Sequence, residues 1–349
     1  MDRVTAMTSL DPVAMLRTLT SLLSQRERKK PSTDVDCIDA ASRIELQSAR
    51  FSCTINHVNH RFKSLLVSSA LLAGLFGLAI STNAQQRPLI TEDVDIIPPG
   101  SMRIGVGVDF IQKARFPVSG LTGDLTRAGV IDVSIGLAPN VEFQIEGVAQ
   151  NFLSINSHGP SAIPLSIAPN AMSTNDFGDF TLWTKIKLRN ETPRWPSLGF
   201  RVGVQLPNSN QGTGIGLNQT NAYGQLLFGK KFGQNARVNT FGNLGIGILT
   251  APTTTFSQND VVTYGFAGIV RLNEMFSLVS EVNGRKNTRP GSGPLGTESQ
   301  SEARVGMQVR ASGLRFDVAG IKGLTGTSPR SGVTVGVTYD TPSIFKPAN

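Results

Sequence analysis

The sequence predicts an all-β fold, an antiparallel up-and-down transmembrane β-barrel of about twelve strands preceded by a signal peptide. Three observations predict it. An apolar run occupies residues 65–80, the chain from residue 101 onward alternates strictly between apolar and polar residues, and short and long connections alternate along it.

The apolar run LLVSSALLAGLFGLAI follows Arg61 and Lys63 and leads into small residues that end at Ala84. A basic start, an apolar centre and a small-residue exit are the three parts of a secretory signal peptide. We therefore expect residues 58–84 to be a signal peptide that is cleaved before Gln85. An uncleaved inner-membrane anchor is the alternative, although the run is shorter than the ~20 residues of a membrane-spanning helix.

Residues 1–57 precede the signal peptide, although signal peptides normally start close to the beginning of a chain. We expect them to be a disordered leader, or the result of a start codon assigned too early, with translation beginning near Val58. Their basic run at 26–30 is interpreted as a solvated charge cluster, and no nucleic-acid partner is expected. Both cysteines, Cys37 and Cys53, belong to this leader, so the mature chain offers no disulfide or thiol chemistry.

Strict alternation is the signature of a strand whose two faces meet different surroundings. In the second predicted strand, for example, Val133 and Ile135 alternate with Asp132 and Ser134. The same period recurs almost to the C terminus, and the stretch 221–231 shows it least clearly. No stretch after the signal peptide shows a convincing helical period.

The connections between these strands alternate in length. Every second one is short, as at Ala138–Asn140, and the intervening ones, such as 112–128 and 151–176, are long and rich in turn-forming residues. Short turns at one rim, long loops at the other and an even strand number are typical of outer-membrane barrels. We expect the barrel to span residues 101–341, with a C-terminal tail at 342–349.

Charge placement predicts which face meets lipid. An arginine or lysine on the lipid face at the bilayer midplane costs about 2–4 kcal/mol, whereas the lumen of a membrane barrel is polar. The apolar face is almost free of charge, so it is expected to point outward. A secreted β-sandwich with that face inward is the alternative. The candidate lumen-facing charges are Arg103, Asp109, Asp132, Glu142, Glu146, Asp179, Lys185, Lys187, Arg201, Arg271, Glu281 and Arg304.

The stretch 85–100, between the signal peptide and the first strand, is a candidate plug for the lumen. Its acidic residues are Glu92, Asp93 and Asp95. They have three candidate partners on the barrel wall, namely Arg201, Arg271 and Arg304. A disordered periplasmic tail is an equally good interpretation of the stretch, so both remain open.

Two stretches of sequence resemble one family. The stretch RPLITED at 87–93, leading to Pro99-Gly100, and the stretch GDFTLWTK at 178–185 are similar to those of the outer-membrane barrels grouped as the phenol meta-pathway degradation family. The resemblance spans most of residues 86–341 and implies a barrel that transports aromatic or apolar compounds. One departure is that Tyr339 is not the last residue, whereas outer-membrane strands commonly finish the chain with an aromatic residue.

No enzymatic, metal or cofactor chemistry is expected of the mature chain. A Ser-His-Asp site needs a histidine held by a carboxylate, and the mature chain has only His158, in a predicted loop. Metal sites built on His or Cys are excluded by the same shortage. Glu142 and Glu146 share a face, but they are better explained as lumen charges that balance neighbouring Lys and Arg than as a catalytic pair.

The function that this predicts is an outer-membrane channel or transporter for small molecules, including aromatic or apolar ones. The alternative is a closed structural or ligand-binding outer-membrane barrel without transport. Either protein would lie in the outer membrane with both termini in the periplasm. Its expected partners are outer-membrane lipid, a small-molecule solute and, during insertion, the barrel assembly machinery.

Overall fold

The computed structural model describes residues 87–253, 258–291 and 293–345. The leader, the signal peptide and the Ala84–Gln85 cleavage site lie outside the described residues. The strands are β1 (Met102–Phe116), β2 (Leu121–Ala138), β3 (Val141–His158), β4 (Ser173–Asp176), β5 (Thr181–Arg189), β6 (Ser197–Gln205), β7 (Asn221–Phe232), β8 (Val238–Thr250), β9 (Gln258–Arg271), β10 (Phe276–Asn287), β11 (Gln300–Ala311), β12 (Leu314–Gly323) and β13 (Ser331–Asp340). Within this part of the chain, no helix is long and apolar enough to cross a membrane.

The strands form one closed antiparallel sheet. Strand β1 pairs with β2 on one side and with β13 on the other, so that Val106 lies opposite both Ile131 and Val337. Strands β4 and β5 lie end to end against β3, so the thirteen segments make a twelve-stranded barrel. Closure pairs each of the long wall strands on both sides, and the short β4 pairs only with β3. The predicted fold class is confirmed.

The first three strands are longer than the alternation predicted. The expected loops 112–128 and 151–176 are wrong over much of their length, because β1 and β2 continue to a tight turn at 117–120 and β3 continues to His158. These extensions have a small apolar core of their own around Leu121 and Leu153. That core stabilises strand structure beyond the region in which a lipid-facing stripe can be recognised.

The two faces of the barrel have opposite character. Outward side chains of the wall are apolar and exposed, as at Phe266 (58% exposed) and Val305 (69%), whereas inward polar side chains such as Gln144 and Lys185 are 0% exposed. This is the inverted arrangement of a membrane barrel. The lumen is not uniformly polar, however. Phe241, Ala267, Ile269 and Val279 form an inward apolar patch with Leu89, which the sequence analysis did not predict.

The two rims differ in the expected sense, except that connection 117–120 on the long-loop rim is a tight turn. Connections 139–140, 190–196, 233–237, 272–275 and 312–313 are the shorter set, and connections 117–120, 159–172, 206–220, 251–257, 288–299 and 324–330 belong to the opposite rim. The start of β1 and the residues after β13 meet at the short-turn rim, where the amide of Gly100 donates to the carbonyl of Gly136 and the amide of Ile344 donates to that of Gly100.

Candidate functional site

The barrel lumen contains residues 87–100, here called the N-terminal segment. The segment ends at the short-turn rim beside β1, and its first described residue, Arg87, lies half-way along the strands and is 7% exposed. The Arg87 guanidinium donates to the carbonyl of Val130 over 2.8 Å, and Gln308 donates to the carbonyl of Arg87 over 2.6 Å. The segment therefore occupies the lumen rather than extending away from the barrel.

Glycines on the inner wall provide the space that Arg87 needs. A Cβ atom on Gly107 would stand 2.1 Å from the Arg87 guanidinium, and a Cβ atom on Gly336 would stand 2.9 Å from it. Both distances are far below a van der Waals contact, so a side chain at either position would displace Arg87. The abundance of glycine on the inner face is thus explained here by the close approach of a second piece of chain.

Glu281 binds the backbone of the segment. Its carboxylate accepts hydrogen bonds from the amides of Ile90 (2.9 and 3.1 Å) and Thr91 (2.8 Å). Arg304 lies 3.6 Å from that carboxylate and also donates to the carbonyl of Pro88 over 2.9 Å. Because Glu281 is 4% exposed, these amides replace the water that the buried carboxylate would otherwise bind.

The centre of the segment is held by a buried charge network around Glu92. Lys185 donates to the Glu92 carboxylate over 2.7 Å and lies 3.1 Å from Glu142, and Arg201 lies 3.5 Å from Glu92. Gln144 donates to both Glu92 and Glu142. The Lys185, Glu92 and Glu142 side chains are 0% exposed, so each charge depends on its neighbours for compensation.

Two further acids hold the half of the segment that is nearer the short-turn rim. Asp93 accepts a hydrogen bond from Asn239 over 3.0 Å, whereas Asp95 pairs with Lys187 at 3.0 Å and with Lys231. Burial, reinforced by the negative charge of Asp95, raises the pKa of Asp93 to about 6. Burial acts on Asp95 in the same direction, but the hydrogen bonds and charges of Lys231 and Lys187 outweigh it and hold the pKa of Asp95 below its ordinary value.

The candidate partners of the plug acids have different roles. Arg201 lies against Glu92 as expected, and Arg304 binds the segment through a backbone carbonyl instead of an acid. Arg271 does not contact the acids, because its guanidinium donates to the carbonyl of Asn235 at the short-turn rim. The proposed pairing with Arg271 is therefore wrong.

The other predicted charges serve the wall. Arg103 pairs with Asp340, Asp109 with Arg127 at 3.2 Å, and Glu146 with Arg201 at 3.2 Å. Asp132 is 7% exposed on the same inner face. Asp179 lies between β4 and β5, where it accepts from the amides of Asn208 and Ser209 and so organises a long loop.

Sequence reasoning missed several residues that bind the segment. Lys231 lies in β7, the strand whose alternation was least clear, and Arg87 was considered only as part of a resemblance. Gln308, Gln144 and Asn239 are uncharged, so they are not among the candidate lumen-facing charges. These three residues occupy inward positions of strands that were predicted correctly, and that alternation is the signal that identifies them.

The described residues contain no group of His, Cys, Asp or Glu side chains suited to a metal ion. The His158 ring nitrogen Nε2 lies 3.1 Å from the carbonyl of Ala171, in the loop that follows β3. A catalytic histidine would instead be oriented by a carboxylate.

We expect Glu92 to hold the segment far more strongly than Asp93. Glu92→Gln removes one partner of a buried ion network, and the loss should destabilise the seated segment by on the order of 3 kcal/mol. This is the lower end of the usual range because Lys185 still has Glu142 as a partner. Asp93→Asn keeps an oxygen for Asn239 and removes a charge that burial disfavours, so it should cost little. Hydrogen exchange of peptides covering 87–98, read by mass spectrometry, should be about 100-fold faster in the first variant. Equal exchange in both variants would contradict the assigned role of Glu92.

Comparisons with known proteins establish the fold. No protein-family model matches the sequence, and no curated protein matches it either. Among solved structures, the COG4313 outer membrane channel from Pseudomonas putida F1 has a TM-score of 0.52 at 15% identity, covering 71% of this chain and 97% of its own. LpxR from Salmonella typhimurium also matches, with a TM-score of 0.40 at 11% identity, covering 68% of this chain and 99% of its own. The translocator domain of the autotransporter NalP from Neisseria meningitidis matches with a TM-score of 0.40 at 12% identity, covering 82% of this chain and 97% of its own. The fold is that of an outer-membrane β-barrel.

Proposed function

We propose that this protein is an outer-membrane channel or transporter for small molecules, closed at rest by its N-terminal segment and with both termini in the periplasm. One observation carries the proposal. A twelve-stranded barrel with an apolar outer wall encloses a polar lumen, and the material filling that lumen is a segment that contributes no strand. Lipid around the wall, the barrel assembly machinery during insertion and a small solute in the lumen are the partners it implies.

The way in which the segment is held suits a movable plug. Many of its contacts with the wall are hydrogen bonds and ion pairs, such as those of Glu92 with Lys185 and of Ile90 with Glu281. Water that enters the lumen can take over such bonds when the segment leaves, at modest cost. The segment also has apolar contacts, at Leu89 in the inward apolar patch and at the buried Val94 and Ile97, and water gives no such replacement for these.

The segment also leaves part of the lumen unfilled. A cavity of about 230 Å³ separates it from the wall beside Asp132 and Thr181, and a cavity of about 460 Å³ lies above it toward the long-loop rim. Both cavities are large enough to hold water molecules. This unfilled space within the lumen supports transport.

The likeness to a solved outer membrane channel of P. putida supports a channel rather than an enzyme. The resemblance of 87–93 and 178–185 to the phenol meta-pathway family extends the proposal to aromatic or apolar solutes. A closed structural or ligand-binding barrel is the second candidate. It is favoured by the full burial of the Glu92–Lys185 pair, since such a network can also stiffen a barrel permanently.

Planar-bilayer recording of the purified wild-type protein tests the proposal. We expect brief, discrete current steps separated by long closed periods, because the segment has to leave its seat before ions pass. Detergent without protein is the control. A folded, heat-modifiable protein that stays silent, and that also fails to swell vesicles in isotonic small solutes, would remove transport and leave the closed barrel.

A further inference from the structure

The larger cavity lies on the outer side of the N-terminal segment. Its volume is about 460 Å³, and its floor is formed by Ile90 and Thr91 of the segment. The Ile90 side chain is 43% exposed although it lies within the barrel, so the segment presents an apolar surface to this space. A cavity of this size is in the range of small-ligand sites.

One side of the cavity is apolar. Ile111 and Phe116 of β1 and Leu125 of β2 line it, in the strand extensions above the membrane-facing wall. Apolar side chains inside a lumen gain nothing from lipid, and water wets them poorly. They are suited to the apolar body of a ligand.

The opposite side is aromatic. The rings of Trp183 and Tyr223 are 5.5 Å apart, tilted by 35°. The Trp183 ring lies flat over Gly203, where a Cβ atom would come within 2.3 Å of it, and the guanidinium of Arg201 stands 4.0 Å from the same ring. The space on this wall therefore favours a flat molecule that lies against Tyr223.

The charges of the cavity are unevenly compensated. Three of its arginines have a carboxylate partner, namely Arg127 with Asp109, Arg201 with Glu146 and Arg304 with Glu302. Arg115 donates to the carbonyl of Gly326 and is exposed at the rim, where water screens it.

Arg285 is different because it is half-buried in the cavity wall and no carboxylate among the described residues lies within 4.0 Å of it, although the charge of Glu298 acts on it from farther away. Its guanidinium donates to two backbone carbonyls, those of Glu298 over 2.9 Å and Gly296 over 3.2 Å. A guanidinium has five N–H donors, so these two bonds fix the head group and leave donors for a ligand.

We propose that this cavity binds small organic anions with a flat apolar body and one carboxylate, and that Arg285 binds the carboxylate. The ring of such a ligand would lie between Tyr223 and the apolar wall, above Ile90. An arginine held by carbonyls is well suited to the planar carboxylate group, which accepts two parallel hydrogen bonds. The inference rests on the proposed function, since the cavity would be the outer entry site of the transport route.

The chain offers its own reporter for the test. It has two tryptophans, Trp183 in the cavity wall and Trp195 in a connection of the opposite rim. The Trp195→Phe variant therefore leaves Trp183 as the sole tryptophan. Benzoate, titrated into this full-length processed barrel in detergent, should change the Trp183 fluorescence saturably. Benzamide, which has the same ring and no charge, should bind about 10- to 100-fold more weakly because it lacks the charge-assisted bond.

Variants at Arg285 locate the carboxylate. In the Trp195→Phe background, Arg285→Gln should bind benzoate and benzamide equally, and Arg285→Lys should restore part of the preference. Arg189→Gln, at the opposite rim, is the matched control and should leave the preference unchanged. Equal affinity for the two probes in the parent, or a preference that survives Arg285→Gln, would overturn the proposal. Benzoate binding by a barrel that is silent in bilayers would keep this site and remove transport, whereas conduction without binding would remove the site alone.

Discussion

A variant that lacks residues 86–98 should fold into the same twelve-stranded barrel and conduct ions in long, stable steps where the wild type opens only briefly. The deletion removes no strand, because β1 begins at Met102. It removes the acids that bind Lys185, Lys187 and Lys231, and it opens the space between the two cavities. Water can then solvate the wall charges. Single-channel recording in planar bilayers measures the change.

A matched control separates the volume of the segment from its binding groups. Replacing residues 86–98 by a Gly-Ser stretch of equal length keeps the chain length but removes Arg87, Glu92 and the other side chains that contact the wall. We expect this variant to conduct almost as well as the deletion. If both variants remain as closed as the wild type, the segment does not control the lumen and the closed-barrel alternative is correct.

Val133→Arg is expected to prevent stable insertion into lipid. Val133 shares its outward parity with Ile131 and Ile135 in β2, so the substitution places a charge on the lipid face. Near the midplane this costs about 2–4 kcal/mol, which is about 30- to 1000-fold in the folding equilibrium. The fraction of protein that resists unfolding in detergent on an unheated gel, after refolding into vesicles, measures it.

The matched control has to be an inward position with room for the side chain. Ser134, the neighbour of Val133, is 0% exposed and lies opposite Arg103, so an arginine there would be crowded by protein and like charge. Thr263 is a better choice because it lines the large cavity, and Thr263→Arg should refold nearly as well as the wild type. A wild-type protein that folds in plain buffer and stays out of vesicles would contradict the membrane-barrel assignment.

Strand number and the orientation of the two faces could be predicted from the sequence because each depends on local periodicity, whereas strand order was predicted from the connections between consecutive strands. A residue such as Val133 shows its face through its neighbours two positions away. The contact of one face with lipid and of the other with the polar lumen determines the residue pattern of each strand separately. A wrong assignment of one strand therefore does not change the assignment of the others. This is why the twelve strands were recognised although β7 was ambiguous.

The interior could not be predicted in the same way. The N-terminal segment has no periodicity, so its sequence does not distinguish a plug from a tail. Parity places Lys185 and Arg271 on the inner face, but it does not tell which of them reaches Glu92. That choice depends on the height and azimuth of each strand around the barrel, which are set by register. The apolar patch around Leu89 was missed because inward apolar residues such as Ile269 and Val279 were outnumbered by outward ones.

The depth of Arg87 imposes an order on the biogenesis of the protein. Gln85, the expected first residue of the mature chain, stands only two positions before Arg87, which is enclosed half-way along the barrel. In a precursor that still carried the apolar run 65–80, that run would have to lie among the buried charges of the lumen or pass out of the barrel at the long-loop rim. Neither is compatible with a run that stays apolar throughout. On the expectation that residues 58–84 are a signal peptide, its removal would have to precede seating of the segment, and an unprocessed precursor would be unplugged.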